Sequence, residues 1–232
     1  MPYMKTVASV SLAALLILGL ALPACADDLA KDEQTLTKAA AVLQSMVSDK
    51  AIPADVLSKV DCIIILPGVK KLAVGVGGSS GRGPMSCRAG KDFNGEWSAP
   101  AMYTIGGLSG GLQLGGSSSD FVLLLMTPVA VEKVLAGKSK MGTDMTVAAG
   151  PGATSPGQMS GTDVLTYARA KGAFAGISLS GATLDPDNGA NSQLYKGKYN
   201  STRDIVIGNT VTPTTGGQAL IAELDKLAKP SK

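Results

Sequence analysis

The chain has 232 residues, a formal net charge of +3, no histidine, three cysteines, 29 glycines and only 4% aromatic residues. So small a net charge excludes the basic excess of a nucleic-acid binder, and the lack of histidine excludes a Ser-His-Asp triad, a Cys-His pair and an H-E-x-x-H zinc site. The 45% apolar content supports one sizeable core, while abundant glycine with few aromatics predicts tight turns and close backbone approaches rather than a helical bundle.

Lys5 precedes an apolar run, Val7 to Leu22, that is too short and too weakly flanked for a membrane span but suits a secretory signal. Ala24-Cys25-Ala26 puts small residues where a signal peptidase reads them. Residues 1–26 are therefore expected as a signal peptide and 27–232 as a single domain. Cleavage would leave 232 − 26 = 206 residues and remove one Lys and no acid, for a net charge of 20 − 18 = +2. The competing reading takes Leu22-Pro23-Ala24-Cys25 as a lipobox with lipidated Cys25 anchored at the outer membrane. Proline two places before that cysteine is unusual, so the expectation is a cleaved, periplasmic or secreted product.

Leu36, Ala39, Ala40, Leu43 and Val47 fall at helical spacing and predict an amphipathic helix over Thr35–Asp49. Pro53 suits the first turn of a short helix through Leu57. Cys62–Leu66 predicts a strand stopped at Pro67, followed by strands at Leu72–Val76, Met85–Arg88 and Trp97–Ile105, with Ala99-Pro100 marking an edge or bulge. Leu108–Leu114 and Asp120–Met126 continue the sheet. Thr127-Pro128 forms an N-cap and N1 pair for a helix ending at Gly137. Thr143–Ala149 and Val164–Leu184 return to strand, the latter bent near Lys171-Gly172, and Gly217–Lys229 closes the chain as an amphipathic helix. Short turns between strands favour antiparallel pairing. The fold class is α+β: a curved, mainly antiparallel sheet, barrel-like or sandwich, with N- and C-terminal amphipathic helices packed on it, on one side.

Cys62 and Cys87 both survive cleavage and lie in strand-like runs, so an oxidising compartment would pair them across neighbouring strands. The alternative is two buried thiols acting as small hydrophobes.

Three signals resemble catalytic or metal motifs. Gly75–Gly83 is glycine-rich, but it runs into Pro84–Gly90 with no helical pattern and no Lys-Ser/Thr, so neither a dinucleotide loop nor a P-loop is formed. Tyr167 and Lys171 have the Y-x-x-x-K spacing of short-chain dehydrogenases, yet without a nucleotide loop the pair reads as structural. Asp185-Pro186-Asp187-Asn188-Gly189 lacks the twelfth-position Glu of a calcium loop and reads as a solvated turn. No catalytic residue, metal site or cofactor is assigned, and the chain is read as a non-enzyme.

The blocks Cys62–Val76 (CIIILPGVKKLAVGV), WSAPAMYTIGGLSGGLQLGG from Trp97, DFVLLLM from Asp120, MGTDMTVAAGP from Met141 and YARAKGAFAGISLSG from Tyr167 together resemble the SYLF domain family. The likeness covers roughly Thr35 to Asn209 and rests on the order of the blocks. The family comprises lipid-binding proteins, with actin-binding endocytic proteins among its eukaryotic members. It implies phospholipid binding by an exported bacterial member, without turnover. Actin is not expected as a partner outside the cytoplasm, and the alternatives are a structural or adhesive envelope protein or, more remotely, a cryptic hydrolase. The residues put forward as the lipid-binding patch are Lys70, Lys71, Arg82, Arg88, Arg169 and Lys171, aided by an apolar surface for which the Thr35–Asp49 helix is the first candidate.

Overall fold

The structure is a computed structural model and describes residues 23–74, 76–90, 92–110, 115–150, 161–170, 173–174, 179 and 181–227. Helix α1 (Pro23–Ser48) is longer than the apolar spacing alone requires, and α2 (Ala54–Leu57) follows with Pro53 at its N-cap. The four principal strands are β1 (Cys62–Val74), β2 (Val76–Cys87), β3 (Ala101–Gly110) and β4 (Gly115–Leu125). Helix α3 (Pro128–Ala136) starts and stops where the sequence predicts. Thr127 Oγ1 accepts the Ala130 N–H at 3.1 Å, and Gly137 takes a φ of 79° at the C-terminal end.

Short strands β5 (Ser139–Lys140), β6 (Val147–Ala149), β7 (Val164–Ala170), β8 (Ala173–Phe174) and β9 (Thr183–Pro186) complete the sheet. Helices α4 (Asn188–Tyr195), α5 (Thr202–Val206) and α6 (Thr215–Leu227) close the chain.

The nine-stranded sheet runs β5-β9-β3-β2-β1-β4-β7-β6, with β8 paired to β7. It is antiparallel except at β6–β7, and it curls into a half-barrel. The α+β class and the curved sheet are as the sequence predicts. Helices, however, cover both faces. Cys62, Ile64, Leu66, Phe121 and Leu123 pack with α3, α4 and α5, whereas Ile63, Ile65, Val122, Leu124 and Leu165 pack with α1, α2 and α6. The runs 62–66 and 121–125 are apolar at every position, so each face of the central strands must be buried. Each large side chain so enclosed contributes about 1.5–3 kcal/mol of transfer free energy.

Pro67 does not stop β1. The register against β4 shifts between Leu66 and Val69, and Gly68 adopts a φ of 61°. This is a bulge that keeps the proline out of the hydrogen-bond ladder. Where β2 crosses that bulge, a Cβ at Gly83 would lie 1.9 Å from the Ile65 carbonyl oxygen, so only glycine permits the backbones to approach. Within the glycine-rich run from Gly75 to Gly83, residues 76–83 belong to strand β2, and Gly81 and Gly83 permit its close packing on β1. Trp97 forms only an isolated bridge to Arg88, and β3 begins later than predicted, after Pro100. Asp185–Gly189 is a strand-to-helix junction rather than a solvated turn: Asp187 caps α4 by accepting the Ala190 N–H at 3.1 Å.

Cys62 and Cys87 face each other in the β1–β2 register and form a disulfide, as the sequence predicts.

Candidate functional site

The bulge at Pro67-Gly68 leaves an open groove of about 590 Å³ between α1 and the β1–β4–β7 side of the sheet. Its volume falls in the range of small-molecule sites. Ala41 and Val42 of α1 and Pro67 of β1 give it an apolar floor, and Lys38, Lys70 and Arg169 give it three cations. Asp120 is the acid in its wall.

Helical and strand periodicity account for these positions. Lys38 lies on the exposed side of α1, off the apolar stripe that carries Leu36, Ala39 and Leu43 into the core. Lys70 stands opposite Ser80 on β2 and Ser118 on β4, and Asp120 stands opposite Arg169 on β7. Arg169 is braced from two sides, with Nη1 3.3 Å from Asp49 Oδ2 and Nη2 3.9 Å from Asp120 Oδ2. The other oxygen of Asp120 accepts the Gly68 N–H at 2.9 Å, so one carboxylate satisfies the bulge and orients the guanidinium. Lys38 Nζ donates to Gln34 Oε1 at 3.2 Å. Three cations against Asp49 and Asp120 leave the groove a local charge of +1.

The remaining predicted cations lie elsewhere. Lys71 projects to the opposite face, its ammonium 5.6 Å from the centre of the Phe121 ring, and burial lowers its pKa. Arg82 is tied to Asp32 at 2.5 Å and Asp187 at 3.1 Å. Arg88 is buried, with its guanidinium 4.6 Å from the Trp97 ring centre. Burial lowers the pKa of Arg88, with the charge of Asp225 opposing. Lys171 lies outside the described residues. The structure thus brings together Lys70 and Arg169 and adds Lys38 and Asp120, which the sequence reading did not single out. Their signal is weak: an exposed lysine on a helix and an acid at the head of an apolar strand look like ordinary surface.

The apolar face of α1 is not a free surface. Leu36, Ala39, Leu43 and Met46 are fully buried, and α6 packs along the helix through Leu220 and Leu224. Among the described residues the exposed large hydrophobic side chains are Leu29 and Val129. No described helix is long and apolar enough to cross a membrane.

Tyr167 of the Y-x-x-x-K pair is buried in the α1 face of the sheet, and burial pushes its hydroxyl up to about 12. A phenol so enclosed is a core side chain, not an acid-base group facing a site. Among the described residues no group of three or more acidic or cysteine side chains is placed to hold a metal ion.

A half-barrel clasped by helices, with a charged groove at a β-bulge, defines an α+β domain of the curved-sheet class. The chain belongs to the Ysc84 (SYLF) family: the family described as Ysc84, Las17-binding protein actin regulator, matches residues 106–227. It is similar to SH3 domain-containing YSC84-like protein 1 of Homo sapiens, 36% identical over 172 residues, covering 71% of this chain and 48% of that protein. The Bos taurus protein of that name is 37% identical, with the same coverage. LAS seventeen-binding protein 3 of Saccharomyces cerevisiae is 30% identical over 205 residues, covering 82% of this chain and 43% of that protein. The chain thus spans about half or less of the length of these relatives, whose names describe SH3-containing and Las17-binding proteins, not enzymes.

Proposed function

We propose that the chain is a non-catalytic phospholipid-binding protein of the cell envelope that takes an anionic headgroup in the groove between α1 and the sheet. The observation that carries this reading is the convergence of Lys38, Lys70 and Arg169 around the apolar floor of Ala41, Val42 and Pro67. Cations near an anionic surface contribute about 1 kcal/mol each, and the floor accepts the glycerol and first methylenes beneath a headgroup. Because the apolar stripe of α1 is committed to the core, binding relies on the groove and not on insertion of that helix.

The envelope setting rests on the export expected from the N-terminal sequence, whose residues 1–22 lie outside the described residues. Helix α1 begins at Pro23 with no acid in its first turn. Cleavage after Ala26 would remove residues 23–26 and leave Asp27 and Asp28 at the start of the helix, where carboxylates complement the helix dipole. Lipidation at Cys25 is the competing processing route. Intact-mass measurement of the envelope-derived protein distinguishes a chain beginning at Asp27 from an acylated Cys25.

The test of binding is co-sedimentation with phosphatidylcholine vesicles with and without phosphatidylglycerol. Lys38→Gln with Lys70→Gln should weaken binding to the anionic vesicles about thirtyfold, the effect of two such cations. Raising the salt to 0.5 M should weaken the wild type as well. Equal binding by wild type and double variant would overturn the groove as the site.

A second reading follows from the relatives' names: a protein-binding module that engages a Las17-like or actin-regulatory partner. It requires a cytoplasmic location, so fractionation of the native protein decides between the two.

A further inference from the structure

We infer that Asp120 makes the groove selective for a phosphodiester headgroup bearing hydroxyl donors, and disfavours phosphomonoesters in spite of their greater charge. The inference rests on the proposed lipid-binding reading and assigns the chemistry of its ligand.

Two features of the groove lead to it. The first is charge balance. Of the three cations, Arg169 is already faced by Asp49 at 3.3 Å and by Asp120 at 3.9 Å, so the local sum is +1. A phosphodiester carries one negative charge and neutralises that sum. A phosphomonoester carries close to two at neutral pH, leaving one negative charge uncompensated in a site whose wall is a carboxylate.

The second is hydrogen-bond polarity. Asp120 Oδ1 is occupied by the Gly68 N–H at 2.9 Å, while Oδ2 faces Arg169 only at the longer distance. An ionised carboxylate accepts and does not donate, so a ligand group that displaces water from its remaining lone pairs must itself be a donor. A terminal glycerol supplies hydroxyls, whereas a bare phosphate presents only oxygens that repel it. Ser118, opposite Lys70 in the register, adds a hydroxyl to the same wall. Lys70 and Lys38 then meet the phosphodiester oxygens while Asp120 reads the polyol beside it. Discrimination arises as much from the repulsive element as from the attractive ones.

The experiment compares phosphatidylcholine vesicles carrying equal mole fractions of phosphatidylglycerol or phosphatidic acid at pH 7.5. Wild type is expected to bind the phosphatidylglycerol vesicles about fivefold more tightly, the factor that one charge–charge contact at about 4 Å gives in water. Asp120→Asn retains an oxygen for the Gly68 N–H and removes the charge, so the preference should disappear or reverse while the melting profile is kept. Asp49→Asn removes the same charge from outside the groove wall, so it should strengthen binding to both lipids and move their ratio toward phosphatidic acid by less than Asp120→Asn does, because Asp120 still accepts from the glycerol hydroxyls. Wild-type binding to phosphatidic acid at or above phosphatidylglycerol overturns the inference and leaves the lipid-binding reading intact. So does a ratio that Asp49→Asn alters as much as Asp120→Asn. Binding to neither vesicle overturns both.

Discussion

The Asp32 carboxylate of α1, almost fully buried, meets the Arg82 guanidinium of β2 at 2.5 Å. The same guanidinium reaches Asp187, the cap of α4, at 3.1 Å, so one side chain from the sheet fastens two helices that lie far apart in sequence. Burial raises the pKa of Asp32, with Arg82 pulling the other way and Asp187 adding to the rise. Desolvation therefore outweighs pairing, and removing the arginine leaves the acid uncompensated. Arg82→Met should cost about 3 kcal/mol, the lower end of the range for a broken buried pair, because the Arg82 side chain is 38% exposed. Asp32→Leu combined with Arg82→Met should recover most of the loss. Urea denaturation of the two variants checks both values.

Asp61 gives the stability a pH dependence of predictable sign. Its Oδ2 is buried without a hydrogen-bond partner, and burial pushes its pKa up from 3.8 to about 6. A carboxyl whose folded pKa lies above its unfolded value contributes stability that is complete below the unfolded pKa and is lost as pH rises toward the folded one. Asp61 therefore favours the folded state at pH 4 relative to pH 7. A dry carboxyl with that shift would account for about 3 kcal/mol, and partial solvent contact halves it. Asp61→Asn should accordingly stabilise the protein by about 1–2 kcal/mol at pH 7.5 and by little at pH 4, as measured by denaturant midpoints at the two pH values.

Much of this architecture is local enough to read from the sequence. Thr127-Pro128 and Gly137 mark both ends of α3, because the cap, the N1 proline and the C-terminal glycine act within one turn of the residues they terminate. The Cys62–Cys87 pairing is legible because both cysteines sit in strand-like runs. The continuation of β1 through Pro67 is not, since the Gly68 N–H is satisfied by Asp120, 52 residues away. Helices α4 and α5 lie in a polar Asp/Asn/Ser stretch whose caps look like turn residues, although Ser201-x-x-Asp204 is a capping box that the sequence does display. The cationic patch divides for a similar reason. Nothing beside Arg82 in the sequence announces Asp32, and nothing beside Lys70 announces Arg169.

Two glycines of β2 should respond very differently to a methyl group. At Gly83 the added Cβ would meet the Ile65 carbonyl oxygen at 1.9 Å, and that oxygen belongs to the central strand and cannot move aside. At Gly78 the nearest atom would be 3.7 Å away, an ordinary van der Waals contact. Gly83→Ala should destabilise by about 4 kcal/mol or prevent folding, and Gly78→Ala should change stability by less than about 0.5 kcal/mol. Circular dichroism melts of the two variants make the comparison, and a benign Gly83→Ala would refute the close approach of β1 and β2 at the bulge.

The disulfide should act on the unfolded chain more than on the native one. Cys62 and Cys87 are directly opposed on antiparallel neighbours, both are fully buried, and the flanking ladder and core hold them together. Their sequence separation of 25 residues closes a loop whose entropy loss in the unfolded state corresponds to about 3.5 kcal/mol. Cys62→Ala with Cys87→Ala should therefore lower stability by about that amount while leaving the groove and its vesicle binding in place, because Cys62 opens β1 ahead of the Pro67-Gly68 bulge and neither cysteine lines the groove. Burial also shields the bond from a soluble reductant. Mild dithiothreitol should release no thiol from Cys62 or Cys87 in the folded protein, and both thiols should appear once the chain is unfolded in the reductant. Thiol titration under the two conditions tests the protection, and release of both thiols from the fully folded protein would show that the bond is accessible.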